Sequence, residues 1–417
     1  MPGYNTDTET LIWLQSKPFD ADIQLKYRKK GSTDEMKSTP VFHTEKSKAY
    51  SVKIPIQSLM PATKYEYQVW LNGKLFPFAD TLSFSTQPSG HTEYDFCMAT
   101  GSCACLRDNN SVSPTKHYQS GSGYHIFKAI AKQKPDYMMW LGDNIYVRNG
   151  EHRNTDGFNY RYTHTRSLPQ MQPLLACTQH FATWDDHDYG TNNGDLTSSS
   201  RDVALESFNT FWANPATHPQ DKKGLFYQYD IADATFFMTD DRTFRSPETQ
   251  KDDKDKHFLG QEQLEWLLLG LEKSQANFKF VAVGSQVLNN NTLQVKEGYA
   301  KDYNTELQYL LSEIKRRKIN GVIFLSGDVH HTILNKMTSA DFYPLYDITV
   351  SAFTSFQNPG LGTKNPYKVK GTLVWEHNFA MLRFSGKGAD RQMQIEIRNK
   401  LGIKRWKRVI KASDLRK

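Results

Sequence analysis

The chain has 417 residues, 38% hydrophobic and 23% charged, which excludes a disordered polymer and exceeds one ordinary core, so roughly two to three domains are expected. A net charge of +7 is modest at this size, and basic residues mostly alternate with acidic ones; this suits an anionic substrate but does not argue for nucleic acid. No apolar run approaches the roughly twenty residues of a transmembrane segment, and Met1 to Asp7 has no apolar signal core, so a cytosolic protein or a mature form lacking its leader is expected.

Residues 1 to about 90 read as short strands with period-two alternation and regular turn signals. Leu11, Trp13 and Gln15 begin one strand. Ile23, Leu25 and Tyr27 mark the next, followed by Val52, Ile54 and Ile56, and then by Tyr65, Tyr67 and Val69 leading into the hairpin signal Asn72-Gly73. A small β-sandwich is expected, and Leu59 to Tyr67 resembles the turn and tyrosine corner of fibronectin type III domains. No chemically useful cluster lies here, so a structural or positioning module is expected over 1–90, with Gln87 to Gly90 as linker.

After the linker, strands alternate with helices. Phe96 to Ala99 is a buried strand ending in Thr100-Gly101-Ser102-Cys103. A helix from Tyr124 to Gln133, stopped by Pro135, precedes the strand Tyr137 to Leu141, which ends in Gly142-Asp143-Asn144-Ile145-Tyr146. Residues 147 to 175 read as an irregular insertion and a helix. The run His180 to Thr183 then enters Trp184-Asp185-Asp186-His187-Asp188. Thr235 to Met238 leads to Thr239-Asp240-Asp241-Arg242, and a helix carrying Leu264, Leu267, Leu268 and Leu271 follows. Phe278 to Val283 ends in Gly284-Ser285-Gln286. A helix with Leu307, Leu310, Leu311 and Ile314 closes on Lys315 to Lys318, read as its solvated end, before Gly321 to Leu325 runs into Ser326-Gly327-Asp328-Val329-His330-His331. Strands return at Ile348 to Ala352, Phe379 to Phe384 and Met393 to Ile397.

Ligands in open α/β sheets bind beyond the carboxyl ends of the strands. Four predicted strand ends carry groups able to hold metal: Cys103; Asp143 and Tyr146; Asp185, Asp186, His187 and Asp188; and Asp328, His330 and His331. Crowded carboxylates repel one another unless cations neutralise them. The four cysteines (Cys97, Cys103, Cys105, Cys177) are too few for a disulfide scaffold. Cys103 and Cys105, one residue apart, are poorly spaced to pair, so at least one is a candidate free thiol or ligand. Thiolate and phenolate favour iron, and the surplus of carboxylates suits calcium, magnesium or manganese. A mixed cluster doing hydrolysis follows, with a metal-bound hydroxide as nucleophile and an anionic phosphate ester as the substrate.

Gly101-Ser102-Cys103, Gly142-Asp143-Asn144-Ile145-Tyr146, Trp184 to Asp188 and Gly327-Asp328-Val329-His330 together resemble the motif series of PhoD-like alkaline phosphatases, a branch of the calcineurin-like metallophosphoesterases. The resemblance implies a four-layer α/β/β/α sandwich over 91–417, behind the fibronectin-III-like module, with an iron-calcium centre. Magnesium, manganese or zinc are alternatives to calcium. It places Cys103, Asp143 and Tyr146 on ferric iron, with Asp143 bridging to the second metal. Asp186 falls where the wider superfamily has a ligating Asn, and His187 where a His contacts the phosphate. Asp328 and His330 stand where two His ligands are usual. Arg242 and Gln286 are weaker candidates for phosphate contact, and Asp185 and His331 for supporting the ligands.

The implied activity is a phosphomonoesterase or phosphodiesterase acting on a small-molecule, lipid or nucleotide ester, with no sequence-specific nucleic acid. His187 would be the electrostatic stabiliser or leaving-group acid. The family is commonly exported, which implies a periplasmic or secreted location. Ala104 to Gly123 departs from the family pattern, so a different substrate rim is expected. Two rivals remain open: a purple-acid-phosphatase-like enzyme, whose Gly-Asn-His motif is absent, and a β-sandwich binding protein with a degenerate phosphatase domain. If the strand before Asp185 stays extended, Asp186 and Asp188 point one way and Asp185 and His187 the other, so a turn is needed for all to reach one metal.

Overall fold

A computed structural model describes residues 1–79, 81–90, 92–107, 124–216, 224–290, 298–358 and 365–417. Most of the Ala104 to Gly123 loop therefore lies outside the described residues. The first 85 residues form two antiparallel sheets. In one, Thr10–Gln15 runs between Pro2–Asn5 and Ser51–Ile56; in the other, Ala21–Lys29 pairs with Lys64–Leu71. Ile12, Ile54 and Ile56 from the first meet Ile23, Leu25, Tyr67 and Val69 from the second in one apolar cluster. Asn72 and Gly73 turn the chain into Lys74–Phe76 with φ of 49° and 74°, the left-handed pair that a tight hairpin requires. The Met60 N–H donates to the Tyr65 hydroxyl at 2.9 Å, pinning the turn before that strand.

The strand Thr10–Gln15 departs from simple alternation because both of its faces are covered. Ile12 enters the sandwich, while Trp13 stacks toward Phe211, centroids 5.7 Å apart, and donates from Nε1 to the Thr210 carbonyl at 2.9 Å. The expected linker is also fastened, since Gln87 Nε2 donates to the Asp230 carbonyl at 2.9 Å.

Two six-stranded sheets build the remainder. One has the spatial order Gln179–Thr183, Tyr137–Leu141, Phe96–Gly101, Asn378–Ser385, Gln392–Asn399, Lys404–Lys411; its first three strands are parallel. The other runs Tyr227–Ile231, Ala234–Met238, Phe278–Ala282, Val322–Ser326, Phe342–Thr349, Ile333–Ser339. Tyr137, Met139 and Leu141 face the second sheet, whereas Met138 and Trp140 face the helix His125–Lys132. Strands covered on both faces read as continuous apolar runs. Phe181 and Phe384 of the first sheet meet Phe236 and Phe280 of the second at 5.8 and 5.9 Å. The helices Gln261–Lys273 and Asn304–Arg316 cover the far face of the second sheet, where Trp266 packs edge-on to Phe237. The architecture is an α/β/β/α sandwich. No helix among the described residues is long and apolar enough to cross a membrane.

Several boundaries move for physical reasons. The strand expected at Ile348 to Ala352 ends at Thr349, because the chain then leaves the ladder and donates from Phe353 N to the Ser102 carbonyl at 2.9 Å. The insertion at 147 to 175 holds two helices, Thr155–Arg166 and Gln172–Cys177. The basic run closing Asn304–Arg316 pairs with acids around it, Arg316 and Arg317 with Glu313 and Lys315 with Asp341.

His180 ties this frame together. Trp140 Nε1 donates to its Nδ1 at 3.0 Å, and its Nε2 lies 3.1 Å from the Leu174 carbonyl, which fixes a neutral ring protonated at Nε2. Burial pushes its pKa down from 6.5 to about 3. The unfolded imidazole takes a proton that the folded one refuses. Its contribution is therefore present above pH ~6.5 and drains by ~1.4 kcal/mol per pH unit below it. Urea unfolding between pH 7 and 5 is expected to show a shallower slope in His180→Gln than in the wild type; equal slopes would remove this role.

Candidate metal centre

Strand ends from both large sheets converge on one cluster of largely buried polar side chains. Four residues there, Cys103, Asp143, Asp328 and His330, hold left-handed backbone with φ of 62°, 53°, 64° and 57°. Such strain costs about 1–3 kcal/mol per non-glycine residue and persists where the surroundings enforce it. The turns are zipped to one another. Cys103 N donates to the Gly142 carbonyl at 3.3 Å and Ala104 N to that of Asp143 at 2.8 Å. Gly142, with φ of 87°, leaves no room for a Cβ, which would sit 2.5 Å from Asp185 Cβ; at Gly327 it would sit 2.6 Å from Ser102 Oγ.

Two groups of potential ligand atoms result. Cys103, Asp143 and His330 bring one donor each within 4.8 Å of one another, and Asp143, Asp186 and His187 do the same. Asp143 belongs to both. Tyr146 joins the first, its hydroxyl donating to Asp143 Oδ2 at 2.8 Å and lying 3.4 Å from His330 Nε2. Its ring stacks on His187 with centroids 4.1 Å apart. The Cys103 sulfur lies 3.3 Å from Ser102 Oγ and 3.1 Å from Ser351 Oγ, so two hydroxyls orient it.

The turn required after Thr183 is present as the short helix Asp186–Tyr189. The extended alternation therefore does not hold, and each side chain of the cluster goes its own way. Asp186 joins Asp143, with its Oδ2 accepting from Asn193 N at 2.8 Å. Asp188 turns beneath, accepting from Asn144 N at 3.1 Å, Tyr162 hydroxyl at 3.1 Å and Asp185 N at 3.2 Å. Asp185 accepts from Arg242 Nε at 2.6 Å.

The electrostatics favour cations. Burial, followed by Asp186, Asp185, Asp188 and Asp328, holds the Asp143 carboxyl well above its usual range. Burial and then Asp143 do the same to the Cys103 thiol and the Tyr146 phenol. Burial also lifts Asp188, to about 7. At Asp186 burial is outweighed by His187 and Arg242, which lower its pKa. Asp186 Oδ1 and Asp185 Oδ2 are buried without a hydrogen-bond partner. A thiol, a phenol, imidazoles and mutually repelling carboxylates with an orphaned oxygen fit a pair of bound cations.

The other expected residues are placed as follows. Asp328 accepts from the Cys103 sulfur through its main-chain carbonyl at 3.5 Å, and its carboxylate lies outside both ligand groups. His331 is buried, its pKa lowered to about 4 by burial, and also lies outside them. Arg242 and Gln286 are fully buried. Arg242 Nη2 donates to Ser285 Oγ at 3.0 Å and Gln286 Nε2 to Thr349 Oγ1 at 2.7 Å. Ser351 and Asn193 carried no signal in the sequence, while Ser102 and Asn144 stand inside the quoted motifs but were given no role there.

A family model described as PhoD-like phosphatase matches residues 110–388. Alkaline phosphatase D of Bacillus subtilis (strain 168) is 23% identical over 330 residues, which cover 68% of this chain and 54% of that protein. The chain thus spans about half the length of the curated relative it matches. A solved structure of PhoD superposes with a TM-score of 0.78 at 18% identity, covering 95% of this chain and 84% of that one. A purple acid phosphatase from yellow lupin (Lupinus luteus) seeds gives 0.72 at 13% identity, covering 99% and 75%. At such identities these two likenesses establish the fold alone.

Proposed function

Because the chain belongs to the PhoD-like phosphatase family, we propose that it is a metal-dependent hydrolase of phosphate esters, acting as a phosphomonoesterase or phosphodiesterase. One observation carries the reading: Asp143 is shared by two groups of ligand atoms. Cys103, Asp143, Tyr146 and His330 would hold one cation, ferric iron by the softness of thiolate and phenolate. Asp143 and Asp186 would hold the second, calcium by the preference of hard cations for carboxylate oxygen; His187, the third member of that group, is assigned to the phosphate instead, and Asp328 is a further proposed ligand although its carboxylate lies outside the group. Bound there, the two cations supply Lewis-acid polarisation of the phosphoryl group and a lowered pKa for attacking water.

The chain's own residues do the rest. Ser102 and Ser351 aim the Cys103 sulfur. Asp188 anchors Asn144 and the start of the helix that presents Asp186 and His187. Arg242 holds Asp185 beneath that helix. His187, its ring fixed by stacking on Tyr146, donates to a phosphate oxygen or protonates the leaving group. Small-molecule, lipid or nucleotide phosphate esters are the substrate class.

Turnover of aryl phosphate mono- and diesters, measured before and after chelation, tests the proposal. Loss on chelation with recovery on adding metal is expected, and turnover indifferent to chelation would defeat it. His187→Ala should lower turnover by ~10²–10⁴ with metal content intact. Disappearance of metal from that variant would make His187 a ligand.

A further inference from the structure

Residues 400–417 contain eight Lys and Arg against one Asp, an excess as large as the +7 of the entire chain, so the preceding 399 residues are electrically balanced. This charge is not dispersed. Lys404, Arg405, Lys407, Arg408 and Lys411 lie on Lys404–Lys411, the edge strand of the first large sheet. Lys404, Lys407 and Lys411 have no ion-pair partner among the described residues. Lysines commonly protect a sheet edge from pairing. Edge protection does not call for large apolar side chains beside them, yet Leu401 is 63% exposed, Ile403 54%, Trp375 51% and Val409 43%.

The register sets this surface beside the metal centre. Thr100 aligns with Ala380, Ala380 with Ile397 and Ile397 with Trp406, so the hairpin after Asn399 caps the same sheet end that carries Cys103. Three hydrogen bonds connect them: Ser355 N to the Cys103 carbonyl at 3.2 Å, His377 Nε2 with the Ser355 carbonyl at 2.7 Å, and Lys400 N to the His377 carbonyl at 2.9 Å. Protruding apolar residues flanked by lysine and arginine match a bilayer interface, where the apolar groups enter the headgroup region and the cations meet anionic lipid.

We propose that the hairpin around Leu401 and Ile403, with Trp375 and the basic strand behind it, is a docking surface for an anionic phospholipid bilayer, bringing the mouth of the metal centre against the lipid headgroups. Docking itself is independent of the phosphoesterase reading; only its consequence, access to interfacial esters, rests on it.

Sedimentation of the full, metal-loaded chain with vesicles tests the surface. Binding to phosphatidylcholine vesicles containing phosphatidylglycerol is expected, with little binding to phosphatidylcholine alone. Each lysine near the surface contributes about fivefold, so Lys404→Gln/Lys407→Gln, at the hairpin end of the strand, should weaken partition by about twenty-fivefold. Leu401→Ser/Ile403→Ser should abolish the binding that persists at high salt, lowering partition tenfold or more. Both variants should turn over a soluble aryl phosphate as the wild type does, which checks their folding. Equal pelleting with neutral vesicles, or a lysine variant that binds like the wild type, would overturn the proposal. So would an unchanged Leu401→Ser/Ile403→Ser variant with equal retention of the wild type on DNA, since that behaviour belongs to a general polyanion site. Vesicle binding without any phosphate-ester turnover would leave the docking surface standing and remove the enzymatic reading.

Discussion

Asp143→Ala is expected to lower turnover of an aryl phosphate by about a thousandfold or more and to strip the protein of metal. The expectation follows from position. Asp143 is common to both ligand groups, so its loss opens two sites at once, whereas removing a supporting residue typically costs 10–100-fold. A second signature separates this role from simple misfolding. Without metal, the Asp143 carboxyl is held above its usual range by burial and by four neighbouring aspartates. An acid whose folded pKa is raised ionises first in the unfolded chain, so stability drains as pH rises through the unfolded value of ~4. At neutral pH the metal-free Asp143→Ala protein should therefore melt no lower than metal-free wild type, while the stabilisation wild type gains from added metal disappears. Thermal melts with and without metal check both statements. A variant that keeps its metal and its turnover contradicts the assignment.

Arg242→Met carries the largest expected loss of stability, about 3–5 kcal/mol by urea unfolding. Neither Arg242 nor Asp185 has exposed side-chain surface, and the guanidinium also holds the Gly194 carbonyl and Ser285 Oγ. Burial already raises the Asp185 pKa against the pull of Arg242, so removing the cation leaves that carboxyl buried and uncompensated beneath the helix that presents Asp186 and His187. A neutral amide removes that penalty, so Arg242→Met/Asp185→Asn should recover part of the loss. A single variant within ~1 kcal/mol of wild type would show that the pair is not the support described.

The four strand-end motifs were legible in the sequence because each lies where an apolar run stops and polar chemistry begins. A strand end marks direction, not depth. Arg242 and Gln286 also follow strands, but one pairs with Asp185 and the other with Thr349, both fully buried. Alternation showed only that a turn was needed after the strand; the chain becomes helical at Asp186 and sends Asp186 and Asp188 apart, a detail no alternation encodes. In the sandwich, Trp13 lies on the strand face opposite Ile12, buried by contacts some 200 residues away that no local pattern encodes. The strand Lys404–Lys411 was not expected. Its inward period, Trp406 and Ile410, is interrupted by Arg408 and dominated by charge.

Elemental analysis of the purified protein tests the central claim most directly. About two metal ions per chain in the wild type, and essentially none in Asp143→Ala, is the expected result, with visible absorption from the Tyr146 or Cys103 side if one ion is ferric iron. A colourless wild-type protein that holds no metal and cannot be loaded with any would contradict the account.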